Sequence, residues 1–227
     1  MADSFAFNES VIRTVHNVIK RSLVQCIHNC NAAAVPSKKA LKSFLGYVDA
    51  AMDMLHHHHT NEDDVYFPVL RKSGLTTESL SAEHEQLHPL IADVTHVVQV
   101  YRRAQEFKTV SQDTFDFASL KSKLEEIQRI LVPHLDKEEE EHTAQVLRDA
   151  GIKASDLNDV HNKISKAEQA RDPTMALPFL YLHLTAEEKI SFWKAVMPFF
   201  VRFILLPIVT FAHRDYWAFS YAKAPVA

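Results

Sequence analysis

Long stretches of the chain repeat apolar residues at spacings of three and four, which is the period of an amphipathic helix. In the second stretch the residues that fall on one side are Leu41, Phe44, Leu45, Val48, Met52 and Leu55. Few segments alternate apolar and polar residues, and the chain has only three glycines. The pattern therefore predicts an all-α protein.

Breaks in the pattern divide the first two thirds of the chain into four long helices, at about residues 5–31, 38–73, 77–107 and 114–150. Gly74 and Gly151 follow the second and the fourth, where glycine can adopt the left-handed conformation that ends a helix. Connections this short make neighbouring helices antiparallel. We therefore expect residues 1–151 to form an up-and-down antiparallel four-helix bundle.

Residues 152–227 are predicted to form a helical extension that packs on the bundle. An amphipathic segment runs from about Ser155 to Arg171, and Thr185 with Glu188 has the spacing of a capping box, which predicts a helix start. The last stretch is rich in aromatic residues, namely Phe199, Phe200, Phe203, Phe211, Tyr216, Trp217, Phe219 and Tyr221. These rings need a packing partner.

Charge and composition exclude several function classes. The formal net charge is −4 with scattered lysines and arginines, which argues against a nucleic-acid partner. Cys26 and Cys30 alone make neither a disulfide framework nor a complete zinc site, so we interpret them as reduced helix residues. The most apolar window, residues 195–212, contains two prolines and Arg202, which argues against a membrane-spanning helix. The acidic start of the chain lacks the features of a secretory signal, so we expect a cytoplasmic protein.

Three pairs of potential metal ligands occur on three successive predicted helices, each pair four residues apart: His58 with Glu62, His84 with His88, and His134 with Glu138. Residues four apart lie on the same helix face. One such pair alone is usually a solvated surface pair. Histidine is an unfavourable choice for a core position, so three pairs on helices that face one another predict a dinuclear site of nitrogen and oxygen ligands.

Together with His16 on the first helix, the order His, His-x-x-x-Glu, His-x-x-x-His, His-x-x-x-Glu resembles the hemerythrin family over about residues 5–150. The aromatic tail is also similar to that of fungal hemerythrin-like proteins. The resemblance implies a carboxylate-bridged centre of two iron ions, with dioxygen as ligand or co-substrate. The ligands that it implies are His16, His58, Glu62, His84, His88, His134 and Glu138.

Spacing leaves alternatives open at three of these positions. His28 is an alternative to His16, and Glu139 is an alternative to Glu138. His59 and Asp63 have the same spacing as His58 and Glu62.

Neighbours of the predicted ligands invite two further interpretations. Tyr66 and His142 extend the ligand faces of their helices, and we interpret both as ordinary packing residues. Pro89 and Pro133 adjoin predicted ligands, and we expect kinks there to aim the neighbouring histidines.

Two function classes fit such a centre. Five histidine ligands that leave one coordination position of the metals open favour reversible oxygen binding, or the sensing of oxygen or iron. The long aromatic extension instead suits a wall around an apolar pocket. On that ground we expect an oxidase or oxygenase that activates dioxygen and acts on a small hydrophobic metabolite. A homodimer interface is the competing role for the extension, and a redox-silent zinc or manganese site is a third class.

Overall fold

The computed structural model describes residues 3–106 and 114–223, and the helices of the first part follow the predicted pattern closely. They are α1 (Ser4–Asn29), α2 (Lys38–Asn61), α3 (Phe67–Lys72), α4 (Glu78–Glu106) and α5 (Phe117–Glu141). The predicted end of the third long helix at Phe107 lies outside the described residues.

Side-chain caps and left-handed glycines set the helix ends. The Ser37 hydroxyl accepts a hydrogen bond from the Ala40 amide at 3.2 Å, and Asp116 Oδ1 accepts one from the Ser119 amide at 2.8 Å. These bonds satisfy amides that the first turn leaves unpaired. Gly74 and Gly151 have φ angles of 83° and 73°, as the sequence predicted for residues that end helices.

The four long helices form a closed bundle. Helix α1 packs on α2 and α5, and α4 packs on the same two helices from the other side. The short connections make sequential neighbours antiparallel. Their inward stripes supply a core that includes the fully buried side chains of Phe44, Leu45, Leu55, Leu87 and Leu120. The predicted all-α four-helix bundle is confirmed.

Two of the predicted long helices are interrupted. The second passes through a π-helical turn at Glu62–Tyr66 before continuing as α3. The fourth ends at Glu141, and a new helix begins after Thr143, whose hydroxyl accepts a hydrogen bond from the Val146 amide at 3.3 Å. Apolar periodicity continues across both interruptions, which is why the sequence predicted single helices. Pro89 and Pro133 lie inside α4 and α5, so neither marks a helix end.

The short helix α6 (Ala144–Asp149) completes the first part of the chain. The extension consists of shorter helices: α7 (Ala154–Gln169), α8 (Pro173–His183), α9 (Ala186–Glu188), α10 (Lys194–Val196) and α11 (Leu206–Ala212). π-Helical turns at Lys189–Trp193 and Val201–Leu205 and 3-10 turns at Tyr216–Phe219 and Tyr221–Lys223 complete it. The predicted capping box is present, since Thr185 and Glu188 each accept a hydrogen bond from the other's amide.

The extension packs on the outer side of α1 and α2. Helices α7 and α8 contact α1, while α8 and the turn at Tyr216–Phe219 contact α2. The Tyr47 hydroxyl donates a hydrogen bond to His183 Nε2 at 2.7 Å, which ties α8 to α2 inside the core. Within the part of the chain that the structure describes, no helix combines the length and apolar character that crossing a bilayer requires.

Candidate metal centre

Seven ionisable side chains are enclosed within the bundle at the level of the π-helical turn. They are His16 from α1, His58 and His59 from α2, Glu62 from the π-helical turn, His84 from α4, and His134 and Glu138 from α5. Six are buried, and the side chain of His58 is only 9% exposed. Four helices therefore bring five imidazoles and two carboxylates together inside the bundle.

Potential ligand atoms of these residues form two groups, in each of which all atoms lie within 4.8 Å of one another. One group holds His59, Glu62, His84 and His134, and the other holds His16, His58, Glu62 and Glu138. Glu62 belongs to both. A carboxylate has two oxygens and can serve two cations, so the arrangement suits a dinuclear centre.

The distances around Glu62 support that role. Its Oε1 lies 3.0 Å from His58 Nε2 and 3.8 Å from His16 Nε2, while its Oε2 lies 3.5 Å from His84 Nε2. Each oxygen of Glu62 therefore faces a different group of imidazoles.

Buried polar atoms at the centre lack hydrogen-bond partners in the protein. They are Nε2 of His16 and His58, both ring nitrogens of His59, Oε2 of Glu62 and both side-chain oxygens of Glu138. A buried polar atom left unpaired costs about 1–3 kcal/mol. Metal cations would satisfy these atoms together, so the residues fit the dinuclear centre that the sequence predicted.

A second set of carboxylates orients three of the imidazoles. The Nδ1 atom of His84 lies 2.9 Å from Asp63 Oδ2, that of His134 lies 2.8 Å from Glu83 Oε2, and that of His16 lies 3.1 Å from Glu139 Oε1. An imidazole that donates its Nδ1 proton to a carboxylate presents an unprotonated Nε2 on its other side. The Nε2 atoms of all three rings therefore point into the centre.

The Nε2 atoms of His84 and His134 face each other at 3.0 Å. Because the carboxylates hold the proton of each ring on Nδ1, two lone pairs meet there. Metal–imidazole bonds are about 2.1 Å long, so two adjacent ligands of one cation stand roughly 3 Å apart. A cation held by both imidazoles would remove the repulsion between these atoms.

Burial also sets the charge state of the remaining ligands. It lowers the pKa of His58 and His59 well below the usual value, which keeps both imidazoles neutral at physiological pH. Burial, together with the nearby charge of Glu138, raises the pKa of Glu62 well above its usual value. Neutral imidazoles are competent ligands, and cations between the two carboxylates would relieve their repulsion.

The structure brings six of the seven predicted ligands together, and His88 is the exception. Its side chain is exposed on α4, with its ring centroid 6.1 Å from that of His59 and 6.3 Å from that of His84. His59 lies instead in the group that contains His84 and His134. Helix α2 packs on both α1 and α4, so its consecutive residues His58 and His59 face different neighbours.

The structure also shows where the residues that spacing left as alternatives lie. His28 is exposed in the last turn of α1, so the structure brings His16 rather than His28 to the centre. Asp63 and Glu139 hold ligand imidazoles through hydrogen bonds. Glu83 has the same role towards His134, but no helical spacing links residues on different helices, and sequence reasoning missed it.

Tyr66 and His142 cover the side of the centre next to Glu138. Their rings meet edge to face at 5.5 Å, and the Tyr66 hydroxyl accepts a hydrogen bond from Asn8 Nδ2 at 3.3 Å. His142 Nδ1 lies 3.4 Å from Glu138 Oε1, and neither of its buried ring nitrogens has a hydrogen-bond partner. His142 therefore packs on Tyr66 and also places a polar ring nitrogen next to Glu138.

An open cleft of about 850 Å³ lies beside the centre, with walls from α2, α4 and the start of α8. Its lining includes Met52, Asp53, His56, His88, Ile91 and Arg171. His88 lines this cleft, and its ring centroid lies 6.1 Å from that of the buried His59.

Comparison with known proteins identifies the family to which these features correspond. The model of the hemerythrin HHE cation binding domain matches residues 9–145, a range that contains all seven residues of the two groups. No curated protein and no solved structure matches the chain.

Proposed function

The chain belongs to the hemerythrin HHE cation-binding family, and from that premise we propose that its buried centre holds two iron ions and binds dioxygen. The observation that carries the proposal is the pair of four-residue ligand groups that share Glu62. Two groups joined by one carboxylate match the requirement of two cations held close together.

The donor chemistry supports iron. The two groups contain only imidazole nitrogen and carboxylate oxygen, a combination that binds iron as well as other first-row metals. The two thiols take no part, because Cys26 is buried in the apolar core and Cys30 donates a hydrogen bond to the Phe117 carbonyl. Iron bound by these residues would supply the electrons that the binding of dioxygen draws on.

The protein's own residues would serve as ligands, orienting groups and a barrier to water. Glu62 joins the two groups, while Asp63, Glu83 and Glu139 hold imidazoles in the ligating tautomer. Such outer carboxylates raise ligand basicity and tighten metal binding. Because the ligands are buried, a small diatomic molecule fits this centre better than a bulky one.

The cleft beside His88 offers the path by which a small molecule would approach the centre. It is open to solvent, and its lining residue His88 has its ring centroid 6.1 Å from that of His59. On this view His88 is a residue of the access path rather than a ligand.

A second candidate function is the oxidation of a small organic molecule by the same centre. The cleft favours it, because Met52, Ile91 and Met175 give apolar contact area next to the polar side chains of Asp53 and Arg171. The aromatic tail does not add support, since Phe199, Phe200, Phe203 and Phe211 are each more than half exposed and so do not enclose a pocket.

An oxygen titration separates these functions. Protein loaded with Fe(II) under anaerobic conditions is exposed to air and then returned to vacuum, and its visible spectrum is followed. We expect an oxygen-dependent band that disappears under vacuum. An irreversible band accompanied by oxygen consumption would support organic oxidation, and the absence of any oxygen-dependent change in iron-loaded protein would overturn the proposal.

A further inference from the structure

The helical run over residues 199–212 carries an apolar stripe on its outer side. The exposed large residues recur at the helical spacing, namely Phe199, Phe200, Phe203, Ile204, Ile208 and Phe211. The opposite side of the run buries Leu206 and Val209, and α11 packs on α8. The orientation of the run is therefore fixed by packing, with its most hydrophobic face towards solvent.

The charged residues along this stretch of the sequence are basic. Residues 189–214 contain no aspartate or glutamate, but they contain Lys189, Lys194, Arg202 and Arg214. The guanidinium of Arg202 lies 5.3 Å from the ring centroid of Phe203, and that of Arg214 lies 4.6 Å from the ring centroid of Phe211. Positive charge thus directly adjoins the exposed rings.

The next acid along the chain does not cancel this charge. Asp215 Oδ2 lies 3.3 Å from Lys39 Nζ, and its other oxygen lies 4.0 Å from Arg214 Nε. Lys39 therefore adds a second cation beside the Asp215 carboxylate.

We propose that the apolar stripe binds the surface of an anionic lipid bilayer. A helix lying in the interface places its aromatic and aliphatic residues at the boundary between headgroups and acyl chains, with lysine and arginine at the level of the lipid phosphates. Phe199, Phe203, Ile208 and Phe211 supply the first set, and Arg202 and Arg214 the second. The charge and the prolines that make this segment a poor membrane span are compatible with a position at the surface.

Charge argues against a second copy of the chain as the occupant. A symmetric dimer places the same surface of each copy against the other. The two copies would bring Arg202 and Arg214 towards one another's basic residues, and no acid lies within residues 189–214 to pair with them. An anionic lipid surface supplies the opposite charge.

The test is sedimentation of the full-length, iron-loaded protein with vesicles of phosphatidylcholine, with and without phosphatidylserine. We expect binding that requires phosphatidylserine and weakens with added salt. The double substitution Phe203→Ser with Ile208→Ser should weaken binding at least about tenfold, because two apolar side chains no longer insert. Arg202→Gln should weaken it about fivefold.

The matched control is Val24→Ser with Val100→Ser, which changes two apolar residues, each 47% exposed, on α1 and α4. The control should bind vesicles like the wild type, and all variants should keep their iron content and helical circular dichroism. Failure of the wild type to bind anionic vesicles would overturn the proposal. So would binding that the stripe substitutions leave unchanged, or a dimer in sedimentation equilibrium that they dissociate without any vesicle binding. Because iron content is a separate readout, these results do not depend on the proposed oxygen chemistry.

Discussion

The imidazole of His59 stacks on that of His84, with ring centroids 4.1 Å apart and ring planes inclined by 20°. Asp63 hydrogen-bonds the Nδ1 atom of His84, and the His84 ring also stacks on that of Phe67, with centroids 5.5 Å apart. The stacked pair of His59 from α2 and His84 from α4 therefore holds these two imidazoles in place at one end of the centre. Helical spacing from His84 points instead to His88, which is exposed.

Removing His59 should impair metal binding more than removing His88. His59→Ala deletes a buried imidazole with two unpaired nitrogens, whereas His88→Ala changes an exposed side chain at the cleft. We expect His59→Ala to lower the iron bound per chain and His88→Ala to leave it near the wild-type value, as measured by elemental analysis. The reverse order would show that His88 is the ligand.

Asp63 should tighten metal binding although it is not in either ligand group. Asp63→Asn removes the carboxylate that holds the His84 tautomer, and changes of this kind typically lower metal affinity by about 10- to 100-fold. The neighbouring exposed Asp64 provides the control, since Asp64→Asn alters charge equally without touching an imidazole. Competition with a chelator of known affinity measures both. Equal affinities for the two variants would contradict the orienting role of Asp63.

The packing of the extension on α2 should require glycine at position 46. A β-carbon at this position would lie 2.4 Å from Cζ of Tyr216, so Gly46→Ala forces the tyrosine ring away. Alanine is otherwise favoured over glycine in a helix by about 1 kcal/mol. We expect Gly46→Ala to lower the melting temperature of the wild type and to raise it in a Tyr216→Ala background. Additive effects in the four-protein cycle would exclude the contact.

His183 should make stability fall as the pH is lowered. Burial lowers the pKa of His183 to about 4, whereas an imidazole in the unfolded chain titrates near 6.5. Between these values the unfolded state binds more protons, so stability is lost as pH falls through the window, by about 3 kcal/mol in full.

The comparison with His183→Gln isolates this contribution, because the centre titrates in both proteins. The difference in free energy of unfolding between the wild type and His183→Gln should shrink as the pH is lowered from about 7 to about 4. A constant difference over that range would mean that His183 titrates normally in the folded protein.

The sequence predicted what depends on local periodicity and missed what depends on contacts between helices. Apolar spacing located the four long helices, and the four-residue spacing found His58 with Glu62 and His134 with Glu138. The four-residue spacing does not reveal the π-helical turn at Glu62–Tyr66. The inward direction of His59 follows from the packing of α2 between two neighbours, which only the assembled bundle defines.

The extension is the other feature that composition could not resolve. Its aromatic content predicted burial, and Trp217 and Phe219 are indeed buried. Phe203 and Phe211 are exposed, because the helical run packs through Leu206 and Val209 instead. Composition alone does not reveal which side of a largely apolar helix faces the protein.

The number of iron ions bound per chain tests the dinuclear centre most directly. Wild-type protein and Glu62→Ala would be equilibrated anaerobically with Fe(II), dialysed, and analysed for iron and protein concentration. We expect two irons per wild-type chain and a loss at both positions in Glu62→Ala, because Glu62 belongs to both ligand groups. A wild-type chain that binds one iron or none, or a Glu62→Ala chain that retains two, would contradict the shared-carboxylate centre.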